Sequence, residues 1–182
     1  MVVTDGELVE RACGGDVAAW RQLVDRHQAF AQRTAYVVTG RSQVAEIIED
    51  SFAKAYLTLG RLRAGDGFRP WLATIVANEA RNRLRGDDRA RALTARLGHL
   101  APVAAPSVEE AAVLATERAA VLAAVNRLRD DDRLVIGYRY FLDMSEGEMA
   151  QALACAPETV KSRLHRALTR LRSMLAVQEA AG

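Results

Sequence analysis

Apolar residues recur along this chain at intervals of three and four, and nowhere in a sustained alternation. That spacing predicts helices and no sheet. Thr4 and Glu7 form a T-x-x-E capping box ahead of Leu8 and Val9, so a first helix starts there. Gly14-Gly15-Asp16 breaks the pattern, and Asp16 can cap a helix carrying Trp20, Leu23, Val24 and His27. A long helix then runs through Phe30, Ala31, Ala35 and Val38 to about Gly40. From about Ser42 to Leu62, Ile47, Ile48, Phe52, Ala55, Tyr56 and Leu59 mark an apolar face, with Glu46, Glu49, Asp50 and Lys54 opposite. After a loop from Arg63 to Phe68, Pro70 suits the first turn of the next helix, where a missing N–H costs nothing. In that helix apolar residues lead (Trp71, Leu72, Ile75, Val76) and polar and basic ones trail (Asn78, Arg81, Asn82, Arg83, Arg85).

Periodicity fades between Gly86 and Val108, where Pro102 and Pro106 sit among Ala, Gly and short charged runs, with a frayed helical piece near Arg91–Leu97. This predicts a flexible linker over 87–108, between an N-terminal unit (1–86) and a C-terminal unit (109–182). A stripe of Leu114, Val121, Leu122, Val125 and Leu128 restarts helix from about Glu109. Asp130-Asp131-Asp132 opens another helix, bearing Leu134, Val135, Ile136, Tyr138 and Phe141. The expected fold is all-α: two small helical domains joined by a flexible linker.

The last part of the chain carries the clearest function. Ser145 and Glu148 make a second capping box, opening a short helix with Met149, Ala150 and Leu153. Cys155-Ala156-Pro157 stops it, and Pro157 and Glu158 suit the first turn of a further helix. A short helix, a turn of about four residues and a second helix make helix-turn-helix spacing. At about 100° per residue, Val160, Leu164, Leu168, Leu171 and Leu175 fall in an arc of roughly 80° that packs on the domain. Glu158, Thr159, Ser162, His165, Arg166 and Thr169 lie opposite, and Lys161 and Arg163 flank the stripe. Short hydrogen-bonding groups near a helix start, with cations around them, are what a major-groove reader needs. Arg matches guanine O6 and N7, Ser and Thr reach base edges or phosphate, and Lys neutralises phosphate.

Composition adjusts this picture little. Half the residues are apolar but only 5% aromatic, so the core is mainly Leu, Val and Ala. A formal net charge of +2 says nothing about a nucleic-acid partner, which leaves the local distribution to decide. Lys occurs only at 54 and 161, so Arg supplies nearly all the positive charge. Cys13 and Cys155 stand far apart with no CxxC, which predicts two buried thiols in a reducing cytoplasm. The N-terminus lacks signal-peptide character, and no apolar run approaches the ~20 residues that span a bilayer. Gly-rich phosphate loops, nucleophile–base sets and metal clusters are all missing from the sequence, so no enzyme, cofactor or metal is expected.

Thr159-Val-Lys-Ser-Arg-Leu-His-Arg-Ala167 with Leu171-Arg172 resembles the promoter-reading segment of extracytoplasmic-function (ECF, group 4) RNA polymerase sigma factors, of the sigma-70 family. Gly15-Asp16 with Trp20 and Leu23-Val24 is similar to that family's first conserved region. Ala45 to Phe52 resembles its polymerase-binding helix, and Phe68-Arg-Pro-Trp71-Leu72 with Ile75, Asn78 and Arg85 its promoter-melting segment. The resemblance implies a non-enzymatic subunit that binds core RNA polymerase through the β′ and β subunits and grips promoter DNA twice. Glu46, Ile47, Glu49 and Asp50 then meet polymerase, and Asn78, Arg81, Asn82 and Arg85 contact the −10 element. Pro157, Glu158, Thr159, Lys161, Ser162, Arg163, His165 and Arg166 contact the −35 element. The Arg63–Phe68 loop lies where the family pockets a flipped −10 base, and Trp71 is expected in the core. The resemblance also implies control by an anti-sigma factor. Ala154 stands where the family's turn has Gly, and Ala156 where it has a Ser or Thr cap. The alternative is a stand-alone helix-turn-helix transcriptional regulator.

Overall fold

The computed structural model describes the backbone of residues 3–40, 44–62, 67–96 and 114–179, and the side chains of 3–40, 44–62, 67–86 and 121–176. The linker over 97–108, the start of helix at Glu109 and loop residues 63–66 lie outside the described residues. Among the described residues the fold is all-α: α1 (Asp5–Cys13), α2 (Val17–Thr39), α3 (Ala45–Thr58), α4 (Phe68–Arg96), α5 (Leu114–Arg127), α6 (Asp130–Ile136), α7 (Glu146–Ala152) and α8 (Pro157–Glu179). A 3-10 turn, Leu59–Arg61, extends α3, and a π-helical turn, Gly137–Phe141, extends α6.

Local chemistry sets the helix ends. Both capping boxes form: Thr4 Oγ1 accepts from the Glu7 N–H and Ser145 Oγ from the Glu148 N–H, and each Glu reaches back to the capping N–H. Asp16 accepts from the N–H groups of Ala18 and Ala19, and α2 then runs unbroken to Gly40, which ends it in the left-handed conformation. The segments through His27 and Val38 therefore make one helix. α4 likewise continues through Gly86 to Arg96. A solitary Gly costs about 1 kcal/mol in a helix, too little by itself to stop one.

The first three helices and α4 bury a common core. Leu8, Leu23, Phe30, Ile48, Phe52, Leu72 and Val76 meet there, and Trp20 packs edge-on against Phe52 and Phe68. His27 is buried beneath α1, with Nε2 2.6 Å from Asp5 Oδ2. Trp71 is half-buried, beside Phe68 and against the core rather than within it. In the C-terminal unit, Leu134, Val135, Met149, Val160 and Ala167 bring α6, α7 and α8 together. Cys13 is exposed and Cys155 half-buried, which corrects the expectation of two buried thiols. Cys13 ends α1 at a tight turn, where no element covers it.

The two units lie directly against each other. Tyr138 is fully buried and its Oη donates to the Ala73 carbonyl of α4 at 3.4 Å. Burial pushes that phenol well above its usual pKa. Thr74 Oγ1 donates to the Ala152 carbonyl, and an Arg133 Nη donates to the Val38 carbonyl in the last turn of α2.

Candidate nucleic-acid and polymerase interface

The helix-turn-helix is α7, a turn, and α8. The turn is a Schellman motif, with the Cys155 N–H donating to Ala150 O at 3.0 Å and the Ala154 N–H to Gln151 O at 3.2 Å. This closure needs its penultimate residue left-handed, and Ala154 has φ 48°. The same motif ends α1, where Asp16 and Gly15 donate to Arg11 O and Ala12 O, with Gly15 at φ 90°. Ala154 thus carries a Cβ where the fold suits glycine. α8 starts without a side-chain cap, since Ala156 offers only its carbonyl, which accepts from Thr159 and Val160.

α8 turns Val160 and Ala167 fully inward, with Leu164, Leu168, Leu171, Met174 and Leu175 half-buried. Pro157, Glu158, Lys161, Ser162, His165 and Arg166 are exposed, and Thr159 and Arg163 are half-exposed. The expected reading face is therefore one contiguous, accessible surface. Ser162 Oγ donates to Thr159 O, and Arg166 Nε donates to Ser162 O, which lays the guanidinium along the helix. Lys161 lies 3.4 Å from Glu146 across the turn. Beside this face Arg129, Asp131, Asp132, Arg163, Arg166 and Arg170 line a cleft of about 280 Å³. Buried Asp132 accepts from Arg170, tying α8 to α6.

In the N-terminal unit, Asn78, Asn82 and Arg85 are exposed along one side of α4, and Arg81 is half-buried. Arg81 Nη2 lies 3.3 Å from Asp131 of the other unit. On α3, Glu46, Glu49 and Asp50 are exposed. Ile47 is only 4% exposed and packs into the core from the inward face of α3, next to Ile48. Glu46 pairs with Arg83, and Lys54 with Glu79, so α3 and α4 are cross-linked by charge.

Sequence reasoning missed Arg69. Its guanidinium sits 4.7 Å from the Phe30 ring centroid, donates to Glu148 Oε1 at 3.0 Å, and donates to the Leu142 carbonyl. A cation set among Phe68, Pro70 and Trp71 was the only available signal. Burial alone would raise the Glu148 carboxyl, but hydrogen bonds from the Ser145 N–H and hydroxyl, with the Arg69 charge, hold it below the usual carboxylate range.

The architecture is that of an all-helical protein with two helical units, the second ending in a helix-turn-helix. Residues 23–90 match the model of sigma-70 region 2, and residues 118–171 that of sigma-70 region 4. The chain is 33% identical over 178 residues to the RNA polymerase sigma factor NccH of Alcaligenes xylosoxydans xylosoxydans, covering 94% of each. It is 32% identical over 178 residues to the ECF RNA polymerase sigma-E factor of Escherichia coli K12, covering 91% of each. Among solved structures it is similar to CnrH in complex with the cytosolic domain of CnrY, with TM-score 0.68, 26% identity, and coverage of 95% of this chain and 97% of that one. It is also similar to the sigma factor RpoE in complex with the anti-sigma factor NepR from Bartonella quintana, with TM-score 0.65, 25% identity, and coverage of 88% and 99%. The chain belongs to the ECF sigma factors of the sigma-70 family, and it is a promoter-specificity factor. Among the described residues no helix is long and apolar enough to cross a membrane.

Proposed function

We propose that this chain recruits core RNA polymerase to promoters by dividing three tasks among three helices. α3 offers polymerase the acidic row Glu46, Glu49 and Asp50. α4 offers the −10 element Asn78, Arg81, Asn82 and Arg85, whose amides read base edges and whose guanidinium groups bind phosphate or stack on bases. The start of α8 offers the −35 element the exposed row from Pro157 to Arg166. The N-terminal unit is residues 1–86, the linker 87–108 and the C-terminal unit 109–182. RNA synthesis belongs to the polymerase, so the chain is a cytoplasmic specificity subunit without catalysis of its own.

The observation that carries this reading is the accessibility of Ser162, Arg166 and their neighbours on a helix fixed from behind by Val160 and Ala167. Two relatives were solved in complexes, one of them with an anti-sigma factor, which supports an anti-sigma partner here too. The decisive test is transcription reconstituted from core polymerase, the purified chain and genomic fragments. Initiation at defined sites is expected. Failure to bind polymerase, with tight operator binding by the chain alone, would instead make it a stand-alone regulator.

A further inference from the structure

Four arginines converge beside the start of α8, and two of them, Arg129 and Arg170, lie outside the residues offered to the −35 element above. Arg163, Arg166 and Arg170 recur along α8 at intervals of three and four, so they share one side of it. Arg129, the residue before α6, lines the same cleft, together with Asp131 and Asp132. Four guanidinium groups against two carboxylates leave this cleft cationic, in a chain whose whole net charge is only +2.

The two carboxylates do not use up these donors. Buried Asp132 accepts from Arg170 Nη1 and so fixes that side chain between α8 and α6. A guanidinium has five N–H donors, and the Arg170 side chain is still 46% exposed. Asp131 is almost fully exposed and lies near Arg81 rather than any arginine of the cleft. Among the described residues, the side chains of Arg129 and Arg163 make no hydrogen bond or ion pair. Arg166 donates to the Ser162 carbonyl of its own helix. Unspent, charged donors therefore face one small opening, and one of them is anchored from behind.

Place along α8 says what that opening can meet. The residues at the helix start that face base edges centre on Ser162. Arg170 follows eight residues later, about 12 Å along the axis at 1.5 Å per residue. The major groove is about 8.5 Å deep. A helix that enters it by its N-terminal residues has risen from base level to the phosphate wall by Arg170. There an arginine fork matches the two free oxygens of a phosphodiester.

We propose that this cleft is a backbone-phosphate site: Arg129 and Arg170 together grip one DNA phosphate at the edge of the −35 element. This rests on the promoter reading above. The grip sets affinity and register on the duplex and carries no base information.

The test uses the full chain with core polymerase, on a promoter fragment recovered by start-site mapping and on the same fragment with its −35 element scrambled. The double variant Arg129→Ala, Arg170→Ala should bind the promoter about fivefold more weakly at about 0.15 M salt, with a slope against log salt smaller by about 0.9. Its preference for promoter over scrambled fragment should match wild type. Uncharged methylphosphonate linkages, placed one at a time around the −35 element, then locate the phosphate. One position should weaken wild type and leave the double variant indifferent. Arg129→Ala alone should blunt the effect at that same position; it has no partner to lose, so it reports even where Arg170→Ala loosens α8. A double variant with the wild-type slope overturns the site, and so does an altered base preference or the lack of any linkage whose effect the variants remove. If scrambling leaves wild-type binding unchanged, the promoter reading fails and the site falls with it. If scrambling weakens wild type while the variants match it, the phosphate site alone fails.

Discussion

Ala154 holds a left-handed backbone at φ 48°. An L-residue with a Cβ is disfavoured there by about 1–2 kcal/mol, partly offset by the greater entropy a glycine would lose. Ala154→Gly should therefore stabilise the C-terminal unit by about 1 kcal/mol, seen as a raised melting midpoint with the turn unchanged. A neutral or destabilising result would mean that the Schellman turn is not the native closure. Glu148 gives a second residue-scale prediction. Its carboxyl is held below the ordinary range, so the folded chain binds that proton less readily than the unfolded one. Its stabilisation is complete above about pH 4.3, and is lost as pH falls through the lowered folded value. Glu148→Gln should cost about 1 kcal/mol at pH 7, and the difference from wild type should shrink on acidification below pH 4. At this scale the sequence was legible where chemistry is local: Thr4, Asp16 and Ser145 cap as their spacing dictates. It was less so where a tertiary neighbour decides. Ile47 lies among acidic residues that face solvent but is itself core, and Arg69 has no sequence neighbour that reveals Glu148.

Among the elements, α8 shows how far periodicity carries. The stripe from Val160 to Leu175 faces inward as spaced, and the opposite residues are accessible. Asp132 and Arg170 add what spacing could not supply, a charge link that fixes α8 on α6. With Arg166 on the exposed face, Arg166→Ala should weaken promoter binding by the polymerase-bound chain. If the residue contacts only phosphate, the salt slope falls by about one and all sequences suffer alike; if it reads guanine, discrimination at one −35 position relaxes by about 1–3 kcal/mol. Competition binding at several salt concentrations separates these, and no effect of either kind would remove Arg166 from the interface. α2 fuses two expected helices and α4 runs beyond its expected end, for a plain reason. α2 and α4 continue because a pattern break by one glycine or a change of face weakens periodicity without supplying a stop. The π-helical turn at Gly137–Phe141 was unreadable, since its cause is the approach of α2, far away in sequence.

At the scale of the whole molecule, two readings made independently from sequence converge: an acidic helix beside a polar and basic one in the first unit, and a helix-turn-helix in the second. Family membership follows from both regions and from relatives matched over nearly the full length. The relation of the units to each other was hidden, because Tyr138, Gly137 and Arg69 each look ordinary within their own helix. The most direct measurement is initiation by core polymerase on a genomic library, with start sites mapped at base resolution. The account predicts starts that depend on added protein, preceded by two shared sequence elements. One element should be lost with Asn78→Ala and Arg81→Ala, and the other with Arg163→Ala and Arg166→Ala. Starts unaffected by the protein, or a single shared element insensitive to one of these pairs, would contradict it.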